Sequence, residues 1–179
     1  MSDSSDAKRE LLIGVAGGVA AYKVADLVSK LAQSGAAVSV VLTSAASRFV
    51  GAPTFAALSG RAVATELFDP AYPLGAHIEL ARRSDLLCVA PATADFMAKA
   101  AHGFADDLLS TIYLCFDGPV VMAPAMNAEM WNKPSVQRNV DQLVKDGVTM
   151  VGPGEGWLSC RERGRGRMAE VSEILAAIG

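Results

Sequence analysis

The sequence predicts an α/β fold with three layers, in which helices cover both faces of an open and mostly parallel sheet. Short continuous apolar runs recur along the 179 residues, and segments with helical spacing of their apolar residues follow them. Continuous apolar runs are typical of strands that are buried on both faces. The alternation of the two patterns indicates a doubly wound, Rossmann-like arrangement, in which ligands bind beyond the carboxyl ends of the strands.

The predicted strands are short and end in residues that favour turns or helix starts. A glycine pair follows the first strand, Thr43 and Ser44 follow the second, and Pro91 and Pro124 follow the third and fourth. Hydroxyl side chains suit helix N-caps, and Gly and Pro are typical of turns. The runs that predict strands are residues 11–16, 38–42, 85–90, 119–123 and 149–151.

The predicted helices rest on apolar spacing and on their end signals. Gly35 ends the first helix, and Pro53 breaks the second. The segment 152–168 holds five glycines and several charges, so we expect a loop or substrate flap there. The segments that predict helices are residues 19–32, 45–58, 96–101, 107–115, 135–145 and 169–178, and residues 77–83 are a short segment to which the pattern assigns no type.

The composition is that of a globular protein, with 51% hydrophobic and 20% charged residues. A net charge of -3 with no long basic run disfavours nucleic acid, and no apolar run approaches the ~20 residues of a membrane span. Three widely spaced cysteines suit a reducing compartment and no disulfide or metal site. We expect a cytoplasmic protein that binds a small molecule, with a disordered tail at residues 1–10 and a single domain at residues 11–179.

The first strand-end loop, GVAGGVAAYK, has two interpretations. Gly17, Gly18 and Val19 lie between a strand and a helix start, where unpaired backbone N–H groups can bind a phosphate. A tight strand-to-helix turn requires glycines as well, and the dinucleotide fingerprint G-x-G-x-x-G is absent. Thr43 and Ser44 at the next strand end favour the phosphate slightly.

Polar residues near the other strand ends also have two interpretations each. His77 follows a turn-rich segment and is a candidate general base, whereas His102 is better explained as a surface residue. Asn127 can bind a carboxylate or a ring edge, or it can cap a helix at residues 128–131. Met126, Met130 and Trp131 can line a ligand pocket, although such a stripe is more often core or subunit contact.

Of the three cysteines, Cys160 stands apart because it lies in the arginine-rich segment WLSCRERGRGRM. Nearby guanidinium groups would favour its thiolate, so it is either a reactive thiol or an incidental surface thiol. Cys88 and Cys115 lie in apolar runs, and we expect both to be inert.

Five segments occur together in one order: GGVAAYK, a histidine before the third strand, PATAD, PAMNAEMW and SCRERGRGRM. In this order they resemble the flavin-containing cysteine decarboxylases, over about residues 11–168. PAMNAEMW is the most specific segment and is similar to the substrate motif of the branch that acts on phosphopantothenoylcysteine. The resemblance implies a flavodoxin-like form of the Rossmann-like fold. It also implies a homo-oligomer, either a trimer or a dodecamer of trimers, with sites between subunits.

The resemblance implies FMN as the cofactor and assigns roles to named residues. His77 is the catalytic base or proton shuttle, and Cys160 lies on the flap and donates the proton of the final reduction. The residues expected around the FMN phosphate and ribityl chain are Gly17, Gly18, Val19, Thr43 and Ser44. Those expected near the flavin are Ala92, Thr93, Ala94, Asp95 and Ala125. Those expected beside the substrate are Asn127, Met130, Arg165 and Arg167.

The reaction implied is the decarboxylation of 4'-phospho-N-pantothenoylcysteine to 4'-phosphopantetheine in coenzyme A biosynthesis, by a carbon-carbon lyase. A separate phosphopantothenoylcysteine synthetase is a candidate partner. A cysteine at position 160 favours this branch over a peptidyl-cysteine decarboxylase of lantibiotic-type peptide maturation, which stays an alternative. A non-catalytic flavin-binding regulatory protein is another, although the chain lacks the long acidic tail of such proteins. A flavin prenyltransferase fits the motifs poorly.

The flap departs from the family pattern. Arg161 and Glu162 stand where the family commonly has Gly and an acid. Arg161, Arg163 and Arg165 are additional guanidinium groups, and guanidinium suits bidentate phosphate binding. We therefore expect these arginines to contact the phosphate of a phosphopantothenoyl substrate.

Overall fold

The computed structural model of the chain describes residues 8–179, and a parallel sheet lies at its centre. The five strands of this sheet are β1 (Glu10–Val15), β2 (Ala37–Leu42), β3 (Leu86–Ala92), β4 (Val120–Pro124) and β5 (Thr149–Met150). Their order in space is β2-β1-β3-β4-β5, and every neighbouring pair is parallel. The strand order changes direction between β1 and β3, which makes this the topological switch point.

Helices cover both faces of the sheet, so the predicted doubly wound fold with three layers is confirmed. The helices are α1 (Ala21–Gln33), α2 (Ala52–Ser59), α3 (Ala76–Arg83), α4 (Ala94–His102), α5 (Leu108–Cys115), α6 (Ala128–Trp131), α7 (Pro134–Lys145) and α8 (Val171–Ile178). Buried residues of α1, α2 and α8 pack on one face, and those of α3, α4, α5 and α7 pack on the other. Along β1 the side chains alternate between these two cores, as the pleat of a strand requires. None of the helices within residues 8–179 is long and apolar enough to cross a membrane.

The predicted flap segment contains secondary structure that the sequence pattern did not indicate. Strands β6 (Gly154–Trp157) and β7 (Arg163–Arg167) form a separate antiparallel ribbon. The expectation that the last strand lies at residues 149–151 is therefore wrong. Glycines alternate with arginines in β7, so the apolar alternation of a strand packed on a core is missing. The two strands satisfy each other's backbone groups instead.

Two smaller corrections concern element boundaries. Pro53 does not break a helix, because it lies in the first turn of α2, where proline is favoured, while residues 46–48 form a separate 3₁₀ turn. Residues 1–7 of the expected tail lie outside the described residues. Glu10, the last residue of that tail, is the first residue of β1.

A charged network holds the amino end of the sheet. The Arg61 guanidinium donates to both carboxylate oxygens of Glu10, at 2.6 and 2.8 Å, and to the Ser39 hydroxyl at 3.1 Å. Arg83 donates to the same buried hydroxyl at 2.9 Å, and Asp85 accepts the backbone N–H of Glu10 at 2.7 Å. The hydrogen bonds from Arg61 lower the pKa of Glu10 in spite of its partial burial. Groups at this end are paired with one another.

Candidate functional site

A cavity of about 840 Å³ opens beyond the carboxyl ends of β1 to β4. Its walls come from the loops that follow these strands and from the ribbon, and the switch point between β1 and β3 lies among them. Open α/β sheets bind ligands at this place, and the volume lies within the usual range for cofactors.

The turn between β1 and α1 forms part of the cavity wall. A Cβ at Gly17 would collide with the Ala45 side chain and lie 2.9 Å from its carbonyl carbon, so the close approach of the two loops requires glycine. A Cβ at Gly18 would make only ordinary van der Waals contacts, with the side chains of Thr93 at 3.7 Å and Pro91 at 3.8 Å. The backbone N–H groups of Val19 and Ala20 donate to no acceptor within residues 8–179. Donors of this kind at a helix start suit an anion.

Lys23 adds a cation to this turn. It is the third residue of α1 and lines the cavity, and its ammonium nitrogen is buried and has no hydrogen-bond partner among residues 8–179. The Glu170 carboxylate is 3.9 Å away, an ion-pair distance but too far for a hydrogen bond, and the same carboxylate contacts Arg167 at 2.6 Å. A buried ammonium with unused N–H donors is costly, so these donors suit an anionic ligand. The turn and this cation together form a phosphate-sized cradle.

Hydroxyl and carboxylate groups line the cavity beside the cradle. Thr43 and Thr93 use their side-chain oxygens as local caps, accepting the backbone N–H of Ala46 at 3.1 Å and of Phe96 at 3.2 Å. The Ser44 side chain lines the same cavity and makes no hydrogen bond within the described residues. Ser44 is therefore the hydroxyl that is free to meet a ligand.

Lys99 and Asp107 form an ion pair on the far wall. The Lys99 ammonium lies 3.0 Å from Asp106 and 3.0 Å from Asp107, and the Asp107 carboxylate also caps α5 through the Ser110 N–H at 2.8 Å. Burial acts to lower the pKa of Lys99, but the two carboxylates outweigh it and the net pKa is raised. Burial acts to raise the pKa of Asp107, but the Ser110 N–H and Lys99 outweigh it and the net pKa is lowered. Both groups stay charged at neutral pH.

Asn127 caps a helix, as one of its two sequence interpretations predicts, and the binding of a ligand stays a prediction. Its side-chain oxygen accepts the backbone N–H of Met130 at 2.8 Å, so it caps α6 as one interpretation predicts. The residue also lines the cavity. Because the oxygen is used by the cap, the amide nitrogen is the group left to donate to a ligand. Met130 lines the cavity beside it, whereas Trp131 is buried in the core.

The ribbon borders the open side of the cavity. Trp157 and Arg167 line it, but Cys160 and Arg165 do not. Cys160 is exposed in the turn between β6 and β7, with its sulfur 4.0 Å from a Glu162 carboxylate oxygen. The Arg165 guanidinium carbon lies 5.8 Å from the centre of the Trp131 ring, a cation–π distance.

His77 lies elsewhere in the chain, in the first turn of α3. It lines a second cavity of about 470 Å³ rather than the main one, and its Nδ1 atom is buried with no hydrogen-bond partner in the described part of the chain. Phe68, which lines the same cavity, is 92% exposed. Cys115 donates from its thiol to the His77 carbonyl oxygen at 3.5 Å.

The three thiols differ in accessibility. Cys88 is fully buried, and burial raises its pKa to about 12, which agrees with the expected inert thiol. Cys115 is exposed although its sequence surroundings are apolar, and partial burial of its sulfur raises its pKa. No group of three or more His, Cys, Asp or Glu side chains in the described part of the chain can hold a metal ion.

Most of the residues expected at the cofactor and substrate share the main cavity. Ala92 is an exception, because β3 continues through it and its side chain is fully buried in the core. His77, Cys160 and Arg165 also lie outside the cavity wall of this chain. The expected residues that line the cavity are Gly17, Gly18, Val19, Thr43, Ser44, Thr93, Ala94, Asp95, Ala125, Asn127, Met130 and Arg167.

The cavity-wall residues that were not singled out from the sequence include four with charged or aromatic polar side chains, namely Lys23, Lys99, Asp107 and Trp157. A signal existed for Lys23, because a cation in the first turn of a helix opposes the helix dipole unless an anion is near. Asp107 carried a signal as a helix cap, but not as a cavity residue. Lys99 and Trp157 had no local signal, since their place depends on how distant segments pack.

Comparisons with known proteins agree with this geometry. A family model described as flavoprotein matches residues 1–179. The coenzyme A biosynthesis bifunctional protein CoaBC of Haemophilus influenzae is 43% identical over 171 residues, which are 95% of this chain and 43% of that protein. The chain thus spans less than half the length of this curated relative.

Two solved structures are similar over nearly their whole length. The FMN-dependent cysteine decarboxylase SpaF has 37% identity and a TM-score of 0.83, with 97% of this chain and 99% of that chain covered. A PPC decarboxylase, in a Cys-to-Ser variant with pantothenoylaminoethenethiol, has 31% identity and a TM-score of 0.84, with 96% of each chain covered. On these matches, the chain belongs to the flavoprotein family.

Proposed function

We propose that this chain is an FMN-dependent carboxy-lyase that converts 4'-phospho-N-pantothenoylcysteine to 4'-phosphopantetheine in coenzyme A biosynthesis. The observation that carries the proposal is the phosphate-sized cradle, in which the Lys23 ammonium has no hydrogen bond among residues 8–179, in the same cavity as the Asn127 amide. An anionic cofactor and a carboxylate substrate would thereby meet in one cavity. Similarity to CoaBC and to the PPC decarboxylase supports the substrate.

The residues present fit FMN. Val19 and Ala20 offer backbone donors to its phosphate, Lys23 offers a charge, and Gly18 leaves room for the group. The hydroxyl of Ser44 and the segment 93–95 extend the wall from the cradle toward Ala125. When bound there, FMN supplies the electron sink that a β-thiol acid lacks for decarboxylation.

The chain's own residues would orient the substrate. The free amide nitrogen of Asn127 donates to the carboxylate that is lost, and Met130 covers it on the apolar side. The α6 cap prevents the amide from rotating, so the donor is held in place before substrate binds. Cys160, on the ribbon turn, delivers a proton to the product carbon as the ribbon closes over the substrate.

We infer that the site is completed by a second copy of the chain, in a trimer or a dodecamer of trimers. His77 does not line the main cavity of its own chain, and its second cavity is bordered by the exposed Phe68. Leu74, three residues before His77, and Phe104, next in sequence to the cavity-wall residue Ala105, are 66% and 60% exposed. Contact between subunits would bury these side chains and bring His77 of one copy to the cavity of another.

The substrate's source and the compartment belong to the same proposal. CoaBC is a bifunctional protein of which this chain matches 43%, so a phosphopantothenoylcysteine synthetase, separate or linked, would supply the substrate. Cys88, Cys115 and Cys160 are all free thiols, which supports a reducing compartment such as the cytoplasm.

The test is the visible spectrum of the purified protein followed by mass spectrometry of the product. We expect a yellow protein that releases carbon dioxide from phosphopantothenoylcysteine and forms the saturated thiol. A Cys160→Ser variant should accumulate the unsaturated enethiol instead. Normal turnover by colourless protein freed of flavin would refute the cofactor, and saturated product from the serine variant would refute the proton donor.

A second candidate function is decarboxylation of a peptide at a C-terminal cysteine, because the cysteine decarboxylase SpaF is 37% identical. This reaction shares the same carboxylate and thiol at the reacting end. Competition between phosphopantothenoylcysteine and a peptide ending in cysteine distinguishes the two. A preference for the peptide would establish the second function.

A further inference from the structure

The main cavity contains a second lysine, and its surroundings differ from those of Lys23. Lys99 lies on α4 and lines the far wall of the cavity, and its side chain is only 22% exposed. Its ammonium lies 3.0 Å from the Asp107 carboxylate, 3.0 Å from that of Asp106 and 3.8 Å from that of Asp95. Among the described residues, Lys23 has one carboxylate within 4.0 Å, at 3.9 Å. The two lysines therefore suit different groups of a ligand.

The Lys99 ammonium has a hydrogen-bond donor left over. An ammonium group carries three N–H donors. Asp106 and Asp107 are close enough to accept one donor each, whereas Asp95 is too far away for a hydrogen bond. The two close carboxylates also hold the ammonium in position, because they belong to the segment that begins α5 rather than to α4. One N–H of a fixed ammonium is thus available at the cavity wall.

The charges around Lys99 decide which acceptor suits this donor. One ammonium and the carboxylates of Asp95, Asp106 and Asp107 give the cluster a formal net charge of -2. An anion placed beside Lys99 would lie close to these carboxylates and would be repelled by them. A neutral carbonyl or hydroxyl oxygen can accept the N–H without that repulsion. Lys99 therefore suits a neutral oxygen, whereas Lys23 suits an anion.

The flavin of the proposed function carries both kinds of acceptor. FMN has one phosphate, and its other oxygens are the neutral carbonyls of the ring and the hydroxyls of the ribityl chain. With the phosphate in the cradle beside Lys23, the neutral part extends along residues 93–95, which line the same cavity. Lys99 lies one helical turn after Asp95 on the same side of α4. The cavity wall thus leads from the cradle to the Lys99 ammonium.

We propose that Lys99 is a flavin-binding residue whose remaining N–H donates to a neutral oxygen of the flavin, while Asp106 and Asp107 hold its ammonium in place. The inference rests on the proposed function for the identity of the cofactor. In this arrangement Lys23 recognises the phosphate, and Lys99 recognises the neutral part of the same molecule. Riboflavin, which lacks the phosphate, separates the two contributions.

The experiment titrates the whole chain, freed of flavin, with FMN and with riboflavin, and follows flavin fluorescence. The double variant Lys99→Met plus Asp106→Asn removes the donor and keeps the net charge of the cluster. We expect it to bind FMN and riboflavin about 10- to 50-fold more weakly than the wild type, because one charge-assisted hydrogen bond is lost. Lys23→Met should weaken the binding of FMN and leave that of riboflavin unchanged.

Two controls separate this donor from the ion pairs around it. Asp106→Asn alone keeps the ammonium and its hydrogen bond to Asp107, so the affinity for riboflavin should stay unchanged. Asp26→Asn plus Lys30→Met removes an exposed ion pair of α1, away from the cavity, and should leave that affinity unchanged as well.

The Tm of each flavin-free variant checks its fold. Asp107 keeps its cap bond to the Ser110 N–H in the double variant, so α5 retains its start. Lys99→Gln plus Asp106→Asn, whose amide can still donate to Asp107, serves if the methionine variant does not fold. The same direction of change is expected, because the amide is shorter and uncharged.

Lumiflavin, which has the ring carbonyls but no ribityl hydroxyls, shows which oxygen accepts the N–H. Weaker binding of lumiflavin by the double variant assigns a ring carbonyl, and unchanged binding of lumiflavin with weaker binding of riboflavin assigns a ribityl hydroxyl. Equal riboflavin affinities of the wild type and the double variant reject the role of Lys99, as does an equal loss in Asp106→Asn alone. Those results leave the proposed function intact. Wild-type protein that binds neither FMN nor riboflavin rejects the proposed function and the role of Lys99 with it.

Discussion

The two ends of the same parallel sheet carry charged groups that are organised differently. At the amino end, Glu10 and Arg61 form a bidentate ion pair, and the buried Ser39 hydroxyl accepts from two arginines. At the carboxyl end, Lys99 and Asp107 are paired as well, but the Lys23 ammonium is buried with no hydrogen bond among residues 8–179, and the Asn127 amide nitrogen is left over from a helix cap. Charged groups that pair within the chain serve the fold, whereas donors without a hydrogen bond at a cavity wall are available to a ligand.

The difference matters because burial alone does not separate the two kinds of group. The Ser39 hydroxyl and the Lys23 ammonium are both buried. Of the two, the ammonium has no hydrogen-bond partner among the described residues. A buried polar group without a hydrogen bond costs stability, so it persists where a bound molecule satisfies it. Mutations at the carboxyl end should therefore alter ligand binding, and those at the amino end should alter folding.

The largest expected effect is that of Asn127→Asp. Aspartate caps a helix as well as asparagine does, so the free energy of unfolding should change by less than about 0.5 kcal/mol. The variant loses the amide donor and places a negative charge beside the substrate carboxylate, so kcat/KM should fall by at least about 1,000-fold. Steady-state kinetics and urea unfolding measure the two quantities. A large loss of stability with a matching loss of activity would show that Asn127 acts only as a helix cap.

The next effect is that of Lys23→Met. Removal of the charge should weaken FMN binding about 10- to 100-fold, measured by flavin fluorescence. The same change removes a buried ammonium that makes no hydrogen bond, so the protein without flavin should have a higher Tm than the wild type. Arg61→Met serves as the control for charge and should leave FMN affinity unchanged. If Lys23→Met and Arg61→Met weaken flavin binding equally, the carboxyl end of the sheet has no special role in binding, and the difference drawn between the two ends is wrong.

The smallest effect is that of Arg61→Met on stability. The ion pair with Glu10 is partly exposed, so we expect a loss of about 1 kcal/mol in the free energy of unfolding near pH 7. Because Arg61 lowers the pKa of Glu10 in the folded state, this contribution is present above the ordinary carboxyl pKa and is lost as pH falls through the lowered one. Urea unfolding from pH 7 to pH 3 should show that the free energies of unfolding of the wild type and of Arg61→Met approach each other. A difference in the free energy of unfolding that stays constant from pH 7 to pH 3 would show that the Glu10–Arg61 ion pair is not its source.

The strands of the central sheet could be predicted from the sequence, whereas the strands of the ribbon could not. Strands such as β3 are buried on both faces and have continuous apolar runs, so their positions follow from composition alone. β7 packs its glycines against α6 and turns its arginines outward, a pattern that local sequence shares with loops. β7 is a strand because it forms hydrogen bonds with β6. This pairing depends on two segments together, so neither segment alone predicts it.

The candidate site was predictable where strand ends meet and less so elsewhere. Gly18, Ser44 and Asn127 follow β1, β2 and β4, so topology alone brings them to one cavity. The Ala92 side chain does not line that cavity, because β3 continues through this residue and buries it. His77 lines a separate cavity of this chain, and local periodicity carries no information about which cavity a residue after a long loop borders.

Glu170 links the cavity wall to the ribbon, because its carboxylate lies between two cations. It is 3.9 Å from Lys23 on the cavity wall and 2.6 Å from Arg167 at the end of β7. An anion bound beside Lys23 would compete with Glu170 for that ammonium, so the electrostatic surroundings of the last residue of the ribbon depend on whether the cavity is occupied.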